Sequence, residues 1–243
     1  MPVANLFVTC LIDSLFPEVG ESVVRVLRAA GADVRFWPEQ TCCGQPAFNA
    51  GSWPEARRMA HRTIVGLESL TGDIVVPSGS CAAMIRHGYL ELFREEPGWQ
   101  ARARRLAPRV WEFSQYMRER LGFLPQAAAK RVRVAYHPSC HLLRGLGIDR
   151  QPRELLEALG LEPVWLEADC CGFGGVFAVD QPEISEAMLD RRLDQIRESR
   201  AEIVVAADVS CLMHLEGALR RSGAPTRCLH LAQILDDRSG GLR

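Results

Sequence analysis

The tripeptide Cys-Cys-Gly occurs twice in this chain, at residues 42–44 and 170–172, and each copy lies between two further cysteines. The second set of four cysteines follows the first at offsets of 130, 128, 128 and 130 residues. Eight of the nine cysteines therefore belong to one repeated pattern, which consists of Cys10, Cys42, Cys43 and Cys81 in the first unit and Cys140, Cys170, Cys171 and Cys211 in the second. This register indicates an internal duplication, so we expect two similar halves.

A chain of 243 residues is long enough for one or two domains with sizeable cores, and the repeat favours two. The segment at residues 122–126 and the alanines after it have the composition of a linker. We therefore predict a first cysteine-rich domain over residues 1–125 and a second over residues 126–243, related by pseudo-two-fold symmetry.

Short apolar runs alternate with amphipathic segments in both halves, which predicts alternating strands and helices. The predicted strands cover residues 3–9, 34–37, 73–76, 132–136, 163–166, 202–206 and 226–229. The predicted helices cover residues 17–30, 53–70, 99–121, 153–159 and 183–199, with a short final helix that ends at residue 235. This alternation is typical of a parallel sheet covered on both faces, so we predict an α/β fold of two tandem repeats, each a parallel sheet flanked by helices.

Every cysteine of the repeat follows a predicted strand. The carboxyl ends of parallel strands lie along one edge of the sheet, which is the usual place for ligands. We therefore expect the four thiols of each half to converge at that edge, although they are far apart in sequence.

The pattern predicts a metal centre in each half. Adjacent cysteines suit a single tetrahedral zinc poorly, because structural zinc sites normally draw ligands from short C-x2-4-C segments, and neither unit has one. An iron-sulfur cluster has several metal atoms, so consecutive thiolates can bind different irons. The glycines after the pairs, Gly44 and then Gly172, Gly174 and Gly175, allow the backbone to approach the cofactor and direct N–H groups at sulfur.

Composition bears on the classes of binding partner and on the cellular compartment that we expect for this protein. The formal net charge of −1 gives no reason to expect nucleic acid or an anionic membrane as partner. There is no apolar run of membrane-spanning length, and the first residues lack the features of a signal peptide. We expect a cytoplasmic protein, in which grouped cysteines hold metal or do redox work more often than they form disulfides.

Other motifs are weaker. The run at residues 172–177 resembles a dinucleotide-binding fingerprint, but Phe177 stands where the third glycine is required, so we do not predict a nicotinamide site. His137, His141 and His214 lie near repeat cysteines, but such histidines are more often hydrogen-bonding or surface residues than ligands, and we leave them out of the predicted site. Cys228 lies outside the repeat, and we expect a buried structural thiol.

The two units resemble the cysteine-rich domain found in the CCG-containing component of heterodisulfide reductase, in the glycolate oxidase iron-sulfur subunit and in lactate utilization protein A. The compact form without a ferredoxin domain, with Cys42-Cys43-Gly44-Gln45-Pro46-Ala47 and Cys170-Cys171-Gly172-Phe173-Gly174-Gly175, is most similar to the lactate utilization protein A family. The resemblance implies an electron-transfer subunit of a three-protein system that oxidises L-lactate to pyruvate. It also implies a ferredoxin-like iron-sulfur sister subunit and a third subunit as partners, without which the chain is inactive as an oxidoreductase.

The chain departs from the heterodisulfide reductase form, in which each unit ends in C-x-x-C and supplies five cysteines to a non-cubane [4Fe-4S] cluster. Ser78 and Asp208 stand at the first position of that pair here. Four thiolates per unit suit a cubane cluster or a non-cubane variant, with Asp208 as a plausible oxygen ligand and Ser78 as a loop hydrogen-bonder. Three alternatives remain open: a heterodisulfide or thiol-disulfide reductase, a glycolate-oxidase-type subunit, and a zinc-stabilised scaffold without redox activity. Zinc in one repeat alone is also compatible with the resemblance.

Overall fold

The computed structural model describes residues 1–128 and 131–236, and these form two four-stranded sheets in which all pairings are parallel. The first sheet contains β1 (Val3–Leu6), β2 (Asp33–Phe36), β3 (Asp73–Val76) and β4 (Val110–Glu112), and the second contains β5 (Arg133–Tyr136), β6 (Glu162–Trp165), β7 (Ile203–Ala206) and β8 (Arg227–His230). The strand orders β2-β1-β3-β4 and β6-β5-β7-β8 are the same. The α/β fold with two tandem repeats is confirmed.

Helices alternate with these strands. The helices of the first half are α1 (Cys10–Leu15), α2 (Pro17–Ala29), α3 (Gln45–Asn49), α4 (Trp53–Glu68), α5 (Gly79–Ala83), α6 (Tyr89–Leu92), α7 (Pro97–Leu106) and α8 (Phe113–Gln115). Those of the second half are α9 (Arg150–Ala158), α10 (Phe177–Asp180), α11 (Pro182–Ser199), α12 (Val209–Arg221) and α13 (Leu231–Leu235). Wider π-type turns cover Met84–Gly88, Tyr116–Arg120 and His141–Gly145, and a 3-10 turn covers Ala107–Arg109. Across the described ranges, none of the helices has both the length and the apolar character needed to cross a membrane.

Local sequence explains the longer helices. Pro17 opens α2 at the first position, where a missing N–H leaves no bond unmade. Val19, Val23 and Val26 then recur at helical spacing and are buried, so α2 has one continuous apolar face. Pro182 opens α11 in the same way in the second half.

One apolar core joins the two halves. Val23 and Leu27 of α2, Tyr116 of the π-type turn and Val134 and Tyr136 of β5 belong to the same buried cluster. Further buried clusters lie within each half, on the other face of its sheet. The two sheets are therefore packed against a common interior, and the predicted boundary after residue 125 stays a prediction.

The segments that carry the cysteines also meet across the two halves. Gly79 at the start of α5 packs against the π-type turn His141–Gly145 so closely that a Cβ on it would lie 2.7 Å from the Cβ of Leu142. At the equivalent place, Val209 of α12 packs with Ile12 of α1 and with Val19. These two contacts bring the carboxyl edges of both sheets together.

The predicted helix over residues 99–121 is wrong. The chain leaves α7 after Leu106, forms a 3-10 turn and enters β4, which pairs with β3 through Ile74 and Val110. Pro108 has no N–H to continue the helical hydrogen bonds, and Val110 and Trp111 favour a strand once β3 offers an edge. The first half therefore has a counterpart to β8, although Cys228 has no cysteine equivalent.

Candidate metal centre

The cysteines of the first half all follow strand ends, as predicted. Cys10 begins α1 after β1, Cys42 and Cys43 lie in the loop after β2, and Cys81 lies in α5 after β3. In this strand order β1 and β3 are neighbours whose following segments diverge, and a crevice forms at such a point in open α/β sheets.

The second half repeats this placement. Cys140 immediately precedes the turn His141–Gly145 after β5, Cys170 and Cys171 lie in the loop after β6, and Cys211 lies in α12 after β7. Because β5 and β7 are again neighbours, the same crevice recurs.

Within each half the thiols form two close pairs. The Sγ atoms of Cys10 and Cys42 are 3.6 Å apart, and those of Cys43 and Cys81 are 3.3 Å apart. All four are free thiols. The structure therefore forms two close thiol pairs from the four residues that the sequence predicted for the first centre.

The second half has the same pairing. The Sγ atoms of Cys140 and Cys170 are 4.0 Å apart, and those of Cys171 and Cys211 are 2.9 Å apart. These four thiols are also free. In both halves the second pair is buried and the first is partly exposed.

A single cavity of about 470 Å³ is lined by all eight cysteines. Leu11, Phe173 and Val176 give it apolar walls, and Ser80 and Asp208 are among its polar lining residues. Both thiol sets therefore face one shared space between the halves.

Gly44 and Gly172 occupy equivalent positions behind the cysteine pairs. Each has a φ of 87°, in the region that favours glycine, and each directs its N–H at a sulfur 3.4 Å away, that of Cys42 or Cys170. Gly174 and Gly175 also have positive φ values and line the cavity.

These contacts favour one thiolate in each half. Hydrogen bonds from Cys10, Cys43 and the Gly44 N–H lower the pKa of Cys42 to about 3, although burial raises it. The hydrogen bond to Cys42 correspondingly raises the pKa of Cys10. The hydrogen bonds with Cys42 and Cys81 likewise raise the pKa of Cys43. Since the thiolate is the metal-binding form of cysteine, Cys42 is the thiol of the first half that these contacts prepare for a metal.

In the second half, hydrogen bonds from Cys140, Cys171 and the Gly172 N–H lower the pKa of Cys170 to about 2. The pKa of Cys211 is lowered to about 6, first by its hydrogen bond with Cys171 and then by the nearby His137, against the effect of burial. Both halves therefore have one cysteine at the same place in the repeat, Cys42 or Cys170, whose thiolate is favoured.

His137 was expected to be a hydrogen-bonding or surface histidine, and the structure excludes the surface role. Its side chain is fully buried, and within the described residues neither Nδ1 nor Nε2 has a hydrogen-bond partner. A ring nitrogen of His137 and the Sγ atoms of Cys171 and Cys211 all lie within 4.8 Å of one another. The available signal in the sequence was a histidine directly after an apolar strand, where the first half has Phe7.

His141 and His214 agree with the expectation that they are hydrogen-bonding or surface residues. His214 Nε2 lies 3.4 Å from Ser185 Oγ, within hydrogen-bonding reach. His141 lies beside the cavity, with Nδ1 3.6 Å from the Sγ of Cys140 and Nε2 3.5 Å from Nε2 of Gln45. Both make polar contacts of the expected kind.

Ser78 and Asp208 occupy equivalent positions in the two halves and contact each other. The Ser78 hydroxyl donates to Asp208 Oδ1 at 2.6 Å, and Ser80 donates to the same oxygen through its hydroxyl and its N–H. Ser78 also accepts the N–H of Cys81, which confirms it as a loop hydrogen-bonder. Oδ2 of Asp208 is buried without a partner in the described part of the chain, so one carboxylate oxygen is available to a ligand.

A buried arginine lies beneath the second cysteine loop. Arg192 of α11 has no exposed surface and donates to the backbone carbonyls of Glu167 and Asp169, just before Cys170. Burial lowers its pKa. No signal in the sequence indicates this role, because arginine on an amphipathic helix normally faces solvent.

The donor set fits a metal cofactor of the thiophilic kind. Thiolate and imidazole ligands suit iron, zinc or iron-sulfur clusters. Magnesium and calcium prefer oxygen ligands, so a site with eight sulfurs does not suit them. Buried polar atoms without partners, on Asp208 and His137, also indicate a missing interaction in the described site.

Comparison with known proteins agrees with this architecture. The family model described as "Cysteine-rich domain" (CCG) matches residues 4–86 and 134–216. A solved structure of a hypothetical protein from Helicobacter pylori has a TM-score of 0.66 at 13% identity and covers 98% of this chain and 49% of that chain, which bears on the fold alone.

Two relatives match over nearly their full length. Lactate utilization protein A of Exiguobacterium sp. (strain ATCC BAA-1283 / AT1b) is 41% identical over 241 residues, which are 98% of each chain. Lactate utilization protein A 1 of Bacillus mycoides (strain KBAB4) is 42% identical over 244 residues, with 98% of this chain and 99% of the relative covered. The duplicated cysteine sets, the fold and these matches together show that the chain belongs to the lactate utilization protein A family of CCG cysteine-rich proteins.

Proposed function

We propose that this protein is an iron-sulfur electron-transfer subunit in the oxidation of L-lactate to pyruvate. The observation that carries the proposal is the single cavity into which eight free thiols open, four from each half. The relatives named lactate utilization protein A supply the substrate, since the cysteine geometry by itself names none.

Each half would hold one cluster of the [4Fe-4S] type, either a cubane or a non-cubane variant. The first would use Cys10, Cys42, Cys43 and Cys81, and the second would use Cys140, Cys170, Cys171 and Cys211. A bound cluster supplies one-electron chemistry, with a potential set by net charge, hydrogen bonds to sulfur and solvent exposure. The chain contributes the thiolates, the Gly44 and Gly172 N–H groups that stabilise negative charge on sulfur, and apolar walls that restrict water.

The proposal includes partners. The sequence has no nicotinamide fingerprint and no dense ferredoxin-type cysteine run, so electrons taken from lactate need a further carrier. We propose a ferredoxin-like iron-sulfur subunit and a third lactate utilization subunit in that role.

Metal analysis of anaerobically purified protein is the first test. The wild type should be brown and contain iron and acid-labile sulfide, and Cys43→Ala should lose the share of iron held by the first half. Cys228→Ala is the matched control, because that thiol lies in β8 outside the repeat, and it should keep the full iron content. Zinc without iron in both halves would overturn the cluster assignment and favour the scaffold alternative.

Reconstitution tests the reaction. The purified chain should reduce an artificial acceptor with lactate only when the two partner subunits are added, and Cys171→Ala should abolish that activity. Full turnover by the chain alone would contradict the subunit role. A reconstituted complex that accepts glycolate or a heterodisulfide but not lactate would change the substrate and leave the electron-transfer role standing.

A further inference from the structure

The two halves differ at one position directly beside the thiols. The backbone N–H of Phe7 donates to Val75 at 2.9 Å in the first half, and that of His137 donates to Val205 at 2.8 Å in the second. The two residues therefore have the same place in the fold, just beyond the first strand of each sheet. An apolar ring in one half is replaced by an imidazole in the other.

The surroundings of His137 make an imidazole without an interaction partner energetically unfavourable. His137 has no exposed surface, and neither ring nitrogen makes a hydrogen bond of regular geometry within the described residues, where the Cys211 thiol is a close polar neighbour. A buried polar group that has lost water and gained nothing in return is destabilising, so such a group normally has a partner. The thiols of Cys171 and Cys211, also buried, lie beside it and can ligate a metal.

We propose that His137 is a ligand of the metal centre in the second half, together with Cys171 and Cys211. The inference rests on the proposed function, since it requires that this half binds metal. The first half cannot form the same set, because Phe7 has no donor atom. The two centres would then be chemically different, one ligated by thiolates alone and the other by thiolates and one imidazole.

A histidine ligand in one centre alone would make the two centres chemically different although both halves have four cysteines. His137 would be an additional ligand of the second centre and would not replace a thiolate, because its counterpart in the first half is Phe7. The guanidinium of Arg192, which holds the loop before Cys170, adds positive charge on the same side. This positive charge favours reduction of the second centre, so the two centres should differ in potential.

The chain provides its own matched control for the test. The Cys42→Ala/Cys43→Ala protein should retain only the second centre, and the Cys170→Ala/Cys171→Ala protein should retain only the first. X-ray absorption at the edge of the metal present distinguishes nitrogen from sulfur ligands by their different bond lengths. A nitrogen ligand is expected in the first of these proteins and sulfur alone in the second.

Adding His137→Phe, which reproduces the residue of the first half, should remove the nitrogen signal, and His141→Phe should keep it. Pulsed EPR of wild-type protein grown with ¹⁵N-histidine is a second readout that does not depend on the folding of any variant. Metal in the second half with sulfur ligands only, or a nitrogen signal that survives His137→Phe, would overturn the inference alone. Absence of metal from the wild type and from both double variants would overturn the proposed function as well.

Discussion

Replacing Gly172 by alanine should destabilise this protein more than the same replacement at Gly44 or Gly31. All three glycines have nearly the same left-handed backbone, with φ of 87°, 87° and 86°. They differ in the space beside them. A Cβ would lie 2.5 Å from the Ser185 carbonyl oxygen at Gly172 and 3.2 Å from the Ala56 carbonyl oxygen at Gly44, and it would meet nothing within 4 Å at Gly31.

The expected loss in the free energy of unfolding has two separate causes, backbone strain and steric collision. A non-glycine residue in the left-handed conformation costs about 1–2 kcal/mol, and all three variants have this cost. At Gly172 the new methyl group also collides with backbone, which cannot rotate away, and overpacking of this kind adds about 1–3 kcal/mol. We expect a loss of about 1–2 kcal/mol for Gly31→Ala and of about 2–5 kcal/mol for Gly172→Ala, with Gly44→Ala between them.

The assay is thermal unfolding followed by circular dichroism under anaerobic, reducing conditions, with the metal content of each sample measured in parallel. For a protein of this size about 1 kcal/mol corresponds to about 2–4 °C in Tm, so Gly31→Ala should lower Tm by about 2–8 °C and Gly172→Ala by about 4–20 °C. Equal losses in the two variants at equal metal content would refute the argument, because they would mean that the contact with Ser185 adds nothing.

Two further predictions concern buried groups in the second half. His230 accepts the Ala232 N–H at Nδ1, and burial lowers its pKa to about 4, so its contribution to stability is present above about pH 6.5 and is lost as the pH falls toward 4. Denaturant unfolding at neutral and at acid pH measures this loss. On acidification the free energy of unfolding of the wild type should fall by on the order of 3 kcal/mol more than that of His230→Gln. Equal decreases in the two proteins would contradict the lowered pKa of His230. Arg192→Met should cost about 1–3 kcal/mol for each loop carbonyl left unpaired, and the exposed control Arg191→Met should change stability by less than about 0.5 kcal/mol. Equally small effects of Arg192→Met and Arg191→Met would mean that water replaces the Arg192 guanidinium as the hydrogen-bond donor to the loop carbonyls.

The sequence alone determined the duplication, the α/β class and the convergence of the thiols. The physical reason is that these properties depend on local periods and on one topological rule. Apolar runs such as residues 73–76 fix the strands, and parallel strands place their carboxyl ends along one edge. The offset of 130 residues between Cys10 and Cys140 then predicts two equivalent sites.

Where tertiary contacts compete with local preference, the sequence was insufficient. Residues 99–121 read as one helix, but the edge of β3 pairs with Val110 and turns part of that segment into β4. Hydrogen bonding to a neighbouring strand is a non-local gain that a helical pattern cannot reveal.

Only the tertiary structure decided how the two halves share a site. Ser78 and Asp208 are 130 residues apart, and they meet where Gly79 packs against Leu142 between the halves. The same packing places all eight thiols around one cavity and buries His137 without a hydrogen-bond partner among the described residues. Burial and pairing depend on side chains that are distant in sequence, so a histidine that reads as ordinary in the chain becomes a candidate ligand once the fold removes its water.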